Sequence, residues 1–356
     1  MPISASDSIT LAVEHTRQQL FQRFRIGQWT KLAFVGLLAG ELGSNGCNRS
    51  FFNLPQHPGS TPHSGIPGSL GIDPALMAAL GALLAALLIA AFAFGIIMMY
   101  VSSVMRFVLF DSIVTRECDI RWSWSRRLGA GWRFFVWKLL YVLLSLAGFA
   151  VVVGIPVAVA FKQGWFTAPN DHVVALVSGG IILFVVFAAF AVVTAVIFVL
   201  TKDFVVPQMA LENIDAMEGW RRLWAMMTVE KGAYAAYIGL KIVLAIVVSL
   251  VVGIATLVLG LIFVIPSVGI GVLAFLTGKT AGLTWNAQTI TLAIVVGCIL
   301  VGVFLYLVSL ISVPAIVFFP AYAMYFFAGR YPQLHAVLYR SSPAAPVPVS
   351  AAPYTA

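Results

Sequence analysis

Five long stretches without any Asp, Glu, Lys or Arg constrain this chain more than any other feature. They cover residues 74–105, 139–161, 172–201, 242–278 and 280–329. Each is longer than the roughly 20 residues that an α-helix needs to cross a hydrocarbon core about 30 Å thick. Of all residues, 61% are hydrophobic and 10% are charged, whereas soluble domains have about 25% charged residues. The sequence therefore predicts an all-α integral membrane protein.

The basic residues are distributed unevenly between the two sides of such a membrane domain. If consecutive spans alternate in direction, one side holds only Arg49, Lys162 and Lys279 of the 21 Lys and Arg residues. The side rich in Lys and Arg is normally the cytoplasmic one. The pattern thus predicts that both termini lie in the cytoplasm. It argues against nucleic-acid binding, because the basic residues flank spans and form no groove-reading motif.

A repeated junction divides the chain into three units. Residues 28–40 (QWTKLAFVGLLAG) align with residues 136–148 (VWKLLYVLLSLAG), and residues 237–241 (YIGLK) are a looser third copy. Each copy joins a basic, Trp-rich polar segment to an apolar one. Residues 26–340 are therefore expected to hold about six transmembrane helices in three tandem repeats of two. The expected spans are 26–43, 75–105, 136–161, 173–203, 234–263 and 288–312.

Three of these segments have a second interpretation. Residues 26–43 are short for a span and could form a re-entrant half-helix, although their match to the second copy of the junction favours crossing. Residues 264–284 contain Pro266 and several glycines, which predicts a hairpin or re-entrant feature. Residues 286–329 could hold two spans, but a second span would move Arg330 to the side with few basic residues.

The polar segments beside the spans are expected to lie in the cytoplasmic interface as amphipathic helices. In residues 1–25, one helical face carries Ile9, Val13, Leu20 and Phe24. In residues 208–232, an apolar stripe contains Met217, Trp220, Trp224 and Met227. Residues 341–356 are rich in Pro and Ala and are predicted to be a disordered tail.

No residue pattern in the chain predicts catalysis, a cofactor or a metal. There is no zinc-protease, P-loop or nucleophile-elbow motif, and Cys47, His57 and His63 lack the spacing of a zinc site. The charged residues nearest the spans are Glu41, Asp111, Asp203 and Lys241. A hydrated helix end is expected for Asp203, and a side chain that snorkels to the surface for Lys241. The chain is therefore not expected to be an enzyme.

Tryptophan and arginine occur together in the polar segments, which suggests contact with lipid head groups. Most Trp residues lie beside the expected cytoplasmic ends of spans, as in an aromatic belt. Basic residues near them could form a pocket for anionic head groups. The candidate head-group contacts are Arg126, Arg127, Arg221, Arg222, Trp124 and Trp220.

Several segments resemble an uncharacterised bacterial multipass family. They are residues 12–21 (AVEHTRQQLF), 24–33 (FRIGQWTKLA), 110–113 (FDSI) and 204–209 (FVVPQM), and the similarity extends over about residues 7–335. That family looks related to the membrane domain found beside some glycerophosphoryl diester phosphodiesterases. The resemblance implies a multipass helical fold in a bacterial cytoplasmic (inner) membrane. It does not imply phosphodiesterase activity, because no acid- and His-bearing barrel accompanies the spans, and it transfers no functional residue.

These observations favour a non-enzymatic membrane protein that organises lipids or a protein partner. A transporter or carrier of a small molecule or lipid is the alternative, because three repeats of two spans could enclose a central cavity. An intramembrane enzyme ranks third, since the chain has no catalytic cluster.

Overall fold

The computed structural model describes residues 4–22, 25–41, 74–166, 172–280 and 287–339. In this part of the chain there is no β-strand, which confirms the prediction of an all-helical protein. The α-helices are α1 (Asp7–Leu20), α2 (Ile26–Ala39), α3 (Pro74–Thr115), α4 (Ile120–Phe149), α5 (Ile155–Lys162), α6 (Val173–Leu200), α7 (Val206–Glu212), α8 (Ala216–Val229), α9 (Lys231–Thr280), α10 (Ala287–Ile311), α11 (Val313–Ala328) and α12 (Pro332–Tyr339). π-Helical turns join α4 to α5 at Ala150–Gly154 and α6 to α7 at Thr201–Val205.

Five helical segments in the described residues are long and apolar enough to cross a membrane. They are Ala78–Thr115, Ile120–Lys162, Val173–Glu212, Lys231–Leu273 and Gln288–Ala328. In the most apolar 18-residue window of each segment, no residue is buried inside the protein. A soluble protein rarely leaves so much contiguous apolar surface uncovered. The exposed windows therefore identify the chain as a membrane protein.

The long helices have an exposed apolar half and a buried half. In α3, exposed hydrophobic side chains extend from Leu80 to Ile97, whereas every residue from 103 to 113 is buried. The buried halves meet in one hydrophobic cluster. We call this region the packed end; it consists of α1, α2, α7, α8, α11, α12 and the adjoining ends of α3, α4, α6 and α9.

Helix α11 lies at the centre of the packed end. Thirteen of its 16 residues are buried, as expected of a helix that is apolar on every side and surrounded by other elements. It contacts α1, α2 and α12. The apolar run 286–329 is thus divided at Ser312 into the largely exposed α10 and the buried α11. The second half of the run forms protein core, although its composition is that of a span.

Helix α2 runs beside the buried half of α3. Near its first turn, Gln28 Nε2 donates a hydrogen bond to the Arg116 carbonyl at 2.8 Å. Beyond its last turn, Glu41 pairs with Arg106. Arg106 lies in the last part of α3 and Arg116 directly follows that helix, so α2 packs along that part and not along the exposed apolar half. With 14 residues, α2 is not among the five candidate spans, and the expected span at 26–43 stays a prediction.

Helix α1 buries a more polar face than the sequence pattern predicts. Val13, placed on the expected apolar face, is 52% exposed. His15 is buried, and its Nδ1 lies 3.1 Å from the Tyr325 hydroxyl. The buried Gln19 donates from Nε2 to the Ser112 carbonyl at 2.9 Å. Leu20 is buried and Ile9 packs against the hydrophobic cluster, as the pattern predicts, whereas Val13 is exposed because α3 and α11 offer polar partners to the face that carries His15 and Gln19.

Helix α8 also buries a face that differs in part from its predicted apolar stripe. Its buried residues are Ala216, Gly219 and Leu223. Met217 and Trp224, two members of the expected apolar stripe, are 70% and 63% exposed. The small residues face inward because Gly219 approaches Val205 closely, which leaves no room for a Trp side chain.

Helix α9 continues through most of the segment expected to form a hairpin. It extends from Lys231 to Thr280 with Pro266 inside it, so the expected break at this proline does not occur. Proline removes one backbone hydrogen bond, but membrane helices tolerate it where nearby hydroxyl groups satisfy the exposed carbonyls. Ser267 Oγ donates to the Phe263 carbonyl at 2.6 Å, next to the Ile262 carbonyl that loses its regular donor. The end of the expected hairpin, residues 281–284, lies outside the described residues.

Gly131→Ala is expected to lower the free energy of unfolding by about 1–3 kcal/mol through overpacking. A Cβ atom at this position would lie 2.6 Å from Val104 Cγ2 and 3.2 Å from Val104 Cα. Gly129→Ala is the matched control, since nothing lies within 4 Å of its Cβ position, and it is expected to be neutral or stabilising by up to about 1 kcal/mol. Denaturant titration in mixed micelles measures both. Equal effects would contradict the close contact of α3 with α4.

The buried His15 is expected to make the packed end sensitive to acid. Burial, together with the nearby positive charge of Arg116, lowers the pKa of His15 from 6.5 to about 4. Between these two pH values the unfolded chain binds a proton that the folded protein does not bind. The free energy of unfolding is therefore expected to fall by on the order of 3 kcal/mol as the pH is lowered from 6.5 to 4. His15→Gln should flatten this part of the stability profile; an unchanged profile would contradict the assignment.

Candidate functional site

Five ionisable side chains meet where the exposed halves of the long helices join the packed end. We call them the charge cluster: Glu41, Arg106, Lys202, Asp203 and Lys241. They come from the chain just after α2, from α3, from the π-helical turn after α6, and from α9. Relative exposures of 3–5% for Glu41, Arg106 and Asp203 show that the cluster is largely buried.

Local backbone features aim these side chains at one another. Gly40 ends α2 in the left-handed conformation (φ 80°), which turns the chain so that Glu41 follows directly beside α3. The π-helical turn Thr201–Val205 precedes Pro207, whose missing N–H would otherwise interrupt a regular helix. Within this turn the adjacent Lys202 and Asp203 reach partners on different helices.

Glu41 joins α2 to α3 and α6. Arg106 Nη1 donates to Glu41 Oε1 at 3.2 Å, and Arg106 Nη2 donates to the Ala39 carbonyl at 2.7 Å. Lys202 Nζ donates to Glu41 Oε2. One carboxylate therefore bridges two cations from different helices, in the charge-assisted geometry that is stronger than a neutral hydrogen bond.

Asp203 joins the π-helical turn to α9. Its Oδ2 accepts hydrogen bonds from Lys241 Nζ and, at 2.9 Å, from the Tyr237 hydroxyl. The side chains of Asp203 and Lys241 are 2% and 14% exposed. The expected hydrated end for Asp203 and the expected snorkelling of Lys241 are therefore both wrong. Each of these two buried charges is paired with the other, because a desolvated ion is costly unless it is paired.

A pocket opens beside the charge cluster. Glu41, Arg106, Lys202 and Asp203 form its polar wall, and the apolar wall includes Phe110, Pro207, Pro320 and Met324. The arrangement can hold a small polar group against the charges while apolar atoms contact the helices around it.

The four arginines expected to contact head groups have different environments. Arg126 is exposed and lies over the Trp122 ring, 5.0 Å from its centroid. Arg127 is half-buried and forms a two-point ion pair with Asp111. Arg221 is 79% exposed and pairs with Glu218. Arg222 pairs with Glu212 and Glu218, and these acidic partners raise its pKa.

Both expected tryptophans contact the packed end. Trp124 packs partly buried against the hydrophobic cluster, and Trp220 donates from Nε1 to Thr201 Oγ1 at 3.0 Å. The structure places Arg221 and Arg222 side by side on Glu218, but Arg127 and Arg222 are engaged within the protein. Head-group contact by the six residues stays a prediction.

The sequence indicates the cations of the charge cluster by their position, but it does not indicate their partners. Arg106 follows the charge-free stretch 74–105, Lys202 follows 172–201 and Lys241 precedes 242–278. This position marks the edge of a span but does not reveal which carboxylates pair with the cations. Cys47, His57 and His63 lie outside the described residues, so the structure says nothing of them.

Comparison with protein families finds a match. The model of the DUF7544 family, described as a family of unknown function, matches residues 3–337. Neither the curated proteins nor the solved structures give a match. Nothing in these comparisons links the chain to the membrane domain of the phosphodiesterases, and that resemblance stays a prediction. Because the match extends over nearly the whole chain, the protein belongs to the DUF7544 family.

Proposed function

We propose that this protein is a non-enzymatic organiser of anionic lipids in a bacterial cytoplasmic membrane. The observation that carries the proposal is the exposure of all five apolar windows. Helices that leave these windows uncovered present separate apolar surfaces to acyl chains. Between apolar helices in lipid there is no hydrophobic force that closes such gaps, so lipid can occupy them.

Charge supports the orientation that we propose, with the packed end in the cytoplasmic interface. Both α1 and α12 belong to the packed end, which supports placing both termini on the same side. Exposed basic residues there include Arg121, Arg126 and Arg221. The opposite end of the helix pair α4–α5 carries Lys162. Anionic lipids of the cytoplasmic leaflet attract such a surface by about 1 kcal/mol for each basic residue.

Aromatic side chains support the same placement. Trp122, Trp132 and Trp224 are all more than half exposed at the packed end. Indole rings favour the head-group layer because one part is apolar and the N–H is polar. Arg126 over Trp122 combines a ring with a cation at this surface. The proposal also includes three tandem repeats of two apolar segments, for which the repeated junction is the support; α2, in the first of these six segments, lies in the packed end.

Lipid composition around the purified protein tests this function. The protein is extracted with its surrounding lipid in polymer discs, and the ratio of anionic to zwitterionic lipid is compared with that of the source membrane. Enrichment by at least about twofold is expected. Arg126→Gln combined with Arg221→Gln should reduce the enrichment, whereas the control Lys162→Gln should leave it unchanged. A wild-type ratio equal to that of the membrane would exclude the proposal.

A small-molecule or lipid carrier is the second candidate. The two π-helical turns favour it, because interrupted helices are typical of transport sites. A carrier needs a polar path at mid-depth, so cysteines introduced by Ser145→Cys and Thr256→Cys would react with a water-soluble thiol reagent. The lipid-organising function predicts that the same two cysteines are protected.

A further inference from the structure

The charge cluster and its pocket have the features of a partly open ligand site. Arg106 lines the pocket and is 5% exposed. Two of its three nitrogens bond to Glu41 and to the Ala39 carbonyl, but the buried Nε–H has no hydrogen-bond partner in the described part of the chain. A buried donor left without a partner costs about 1–3 kcal/mol. A ligand oxygen that reached this N–H from the pocket would remove this cost.

The charge of the cluster indicates the sign of the ligand. Arg106, Lys202 and Lys241 carry three positive charges, whereas Glu41 and Asp203 carry two negative ones. The excess of one positive charge lies among largely buried groups, where an uncompensated charge is costly. Lys138, bonded to Ser102 at 3.2 Å near Arg106, adds to the positive potential. An anion would balance this excess.

The position of the cluster indicates the chemical class. Arg106, Lys202 and Lys241 are the first charged residues at the ends of three charge-free stretches. The boundary of the hydrocarbon core is also the level at which lipid phosphates lie. A guanidinium group offers a planar set of N–H donors that matches phosphate oxygens, and the apolar wall of the pocket suits the carbon atoms next to them.

The geometry points to a phosphate ester as the ligand of this pocket, bound by Arg106 and Lys202, with Glu41 limiting the net attraction. A phosphodiester carries one negative charge, which equals the excess of the cluster. This site is separate from the exposed arginines of the proposed function, and it concerns one phosphate in the pocket instead of the lipids around the spans. The phosphate can come from a phospholipid head group or from a soluble ester.

Two probes distinguish these sources. Titrations of the purified full-length protein in non-ionic detergent use a short-chain phosphatidylglycerol as the lipid probe and glycerol phosphate as the soluble probe. Binding of the lipid probe alone assigns the phosphate to a lipid, and binding of glycerol phosphate assigns it to a soluble ester. Both results support a phosphate site. Failure of both probes to bind would overturn it.

Two substitutions with opposite expected effects test the cluster itself. Arg106→Lys keeps the charge next to Glu41 but removes the Nε donor, and it should weaken binding by about tenfold or more. Glu41→Gln removes one negative charge and should strengthen binding. Arg133→Lys, at a part-exposed arginine that bonds to Asn213, is the matched control and should bind as the wild type does.

Retention of native near-ultraviolet circular dichroism identifies the variants that are folded. Wild-type affinity in folded Arg106→Lys, or no gain in folded Glu41→Gln, would overturn the inference. The Arg126→Gln and Arg221→Gln double variant should keep this single-site affinity even as it loses lipid enrichment. A failure of the proposed function and a failure of the phosphate site therefore give different results.

Discussion

Asp203→Ala is expected to lower the free energy of unfolding of the packed end by about 3–5 kcal/mol. The substitution leaves Lys241 without its carboxylate partner at 14% side-chain exposure. It also removes the acceptor of the Tyr237 hydroxyl, which is fully buried. Both groups would stay desolvated without the bonds that compensate them. Loss of near-ultraviolet circular dichroism during denaturant titration in mixed micelles measures the change.

A second ion pair provides the control for Asp203→Ala. Asp215 lies 3.5 Å from Arg133 with its side chain 70% exposed, so Asp215→Ala should cost less than about 1 kcal/mol. Adding Lys241→Met to Asp203→Ala should restore part of the lost stability, because it removes the unpaired charge. If Asp203→Ala cost no more than Asp215→Ala, the buried pair would not exist in the folded protein.

Phe326→Ala is expected to be as damaging, for a different physical reason. Phe326 is 0% exposed, and its ring lies 4.6 Å from Tyr237 and 5.9 Å from Phe204, measured between centroids. Arg330 covers the ring at 4.1 Å. Truncation would leave a cavity where three elements meet and should lower the free energy of unfolding by about 3–5 kcal/mol. The same denaturant titration measures it.

Phe92→Ala is the matched control for Phe326→Ala. Phe92 lies in the exposed half of α3 and is 72% exposed. Its truncation creates no cavity inside the protein, so the expected loss is within about 0.5 kcal/mol, as at other surface positions. A loss at Phe92 equal to that at Phe326 would show that the exposed half of α3 is buried in the functional state, for example against a second copy of the chain.

The helical class of the protein follows from the sequence. Charge-free stretches of more than about 20 residues are long enough to cross a bilayer as a helix, and few other structures satisfy their backbone in lipid. Four of the five candidate spans, those starting at Ala78, Ile120, Val173 and Lys231, each contain all or most of one such stretch. The fifth stretch, 280–329, shows the limit of this reasoning. Both α10 and α11 are strongly apolar, yet α10 is largely exposed and α11 is core. Hydropathy does not distinguish lipid from protein as the neighbour.

The charge cluster could be predicted only in part. Glu41, Asp203 and Lys241 attract attention because charges beside spans are costly. Their partners depend on tertiary structure: Arg106 and Lys202 lie 65 and 161 residues from Glu41 in the sequence. When the arrangement of the helices is not known, a hydrated side chain is the simpler expectation for each of these residues. The same limit applies to α1, whose buried polar face depends on hydrogen-bonding partners in α3 and α11.

The division of α3 into two halves implies that one part of the protein is stable in lipid and the other part in water. Its 42 residues extend about 63 Å, roughly twice the thickness of a hydrocarbon core. If the exposed half crosses the bilayer, the packed end lies largely beyond it, where water makes apolar burial favourable. Urea would then melt the packed end while the spans kept their backbone hydrogen bonds. The expected product is a partly unfolded protein that retains most of its helix content and stays anchored in the membrane.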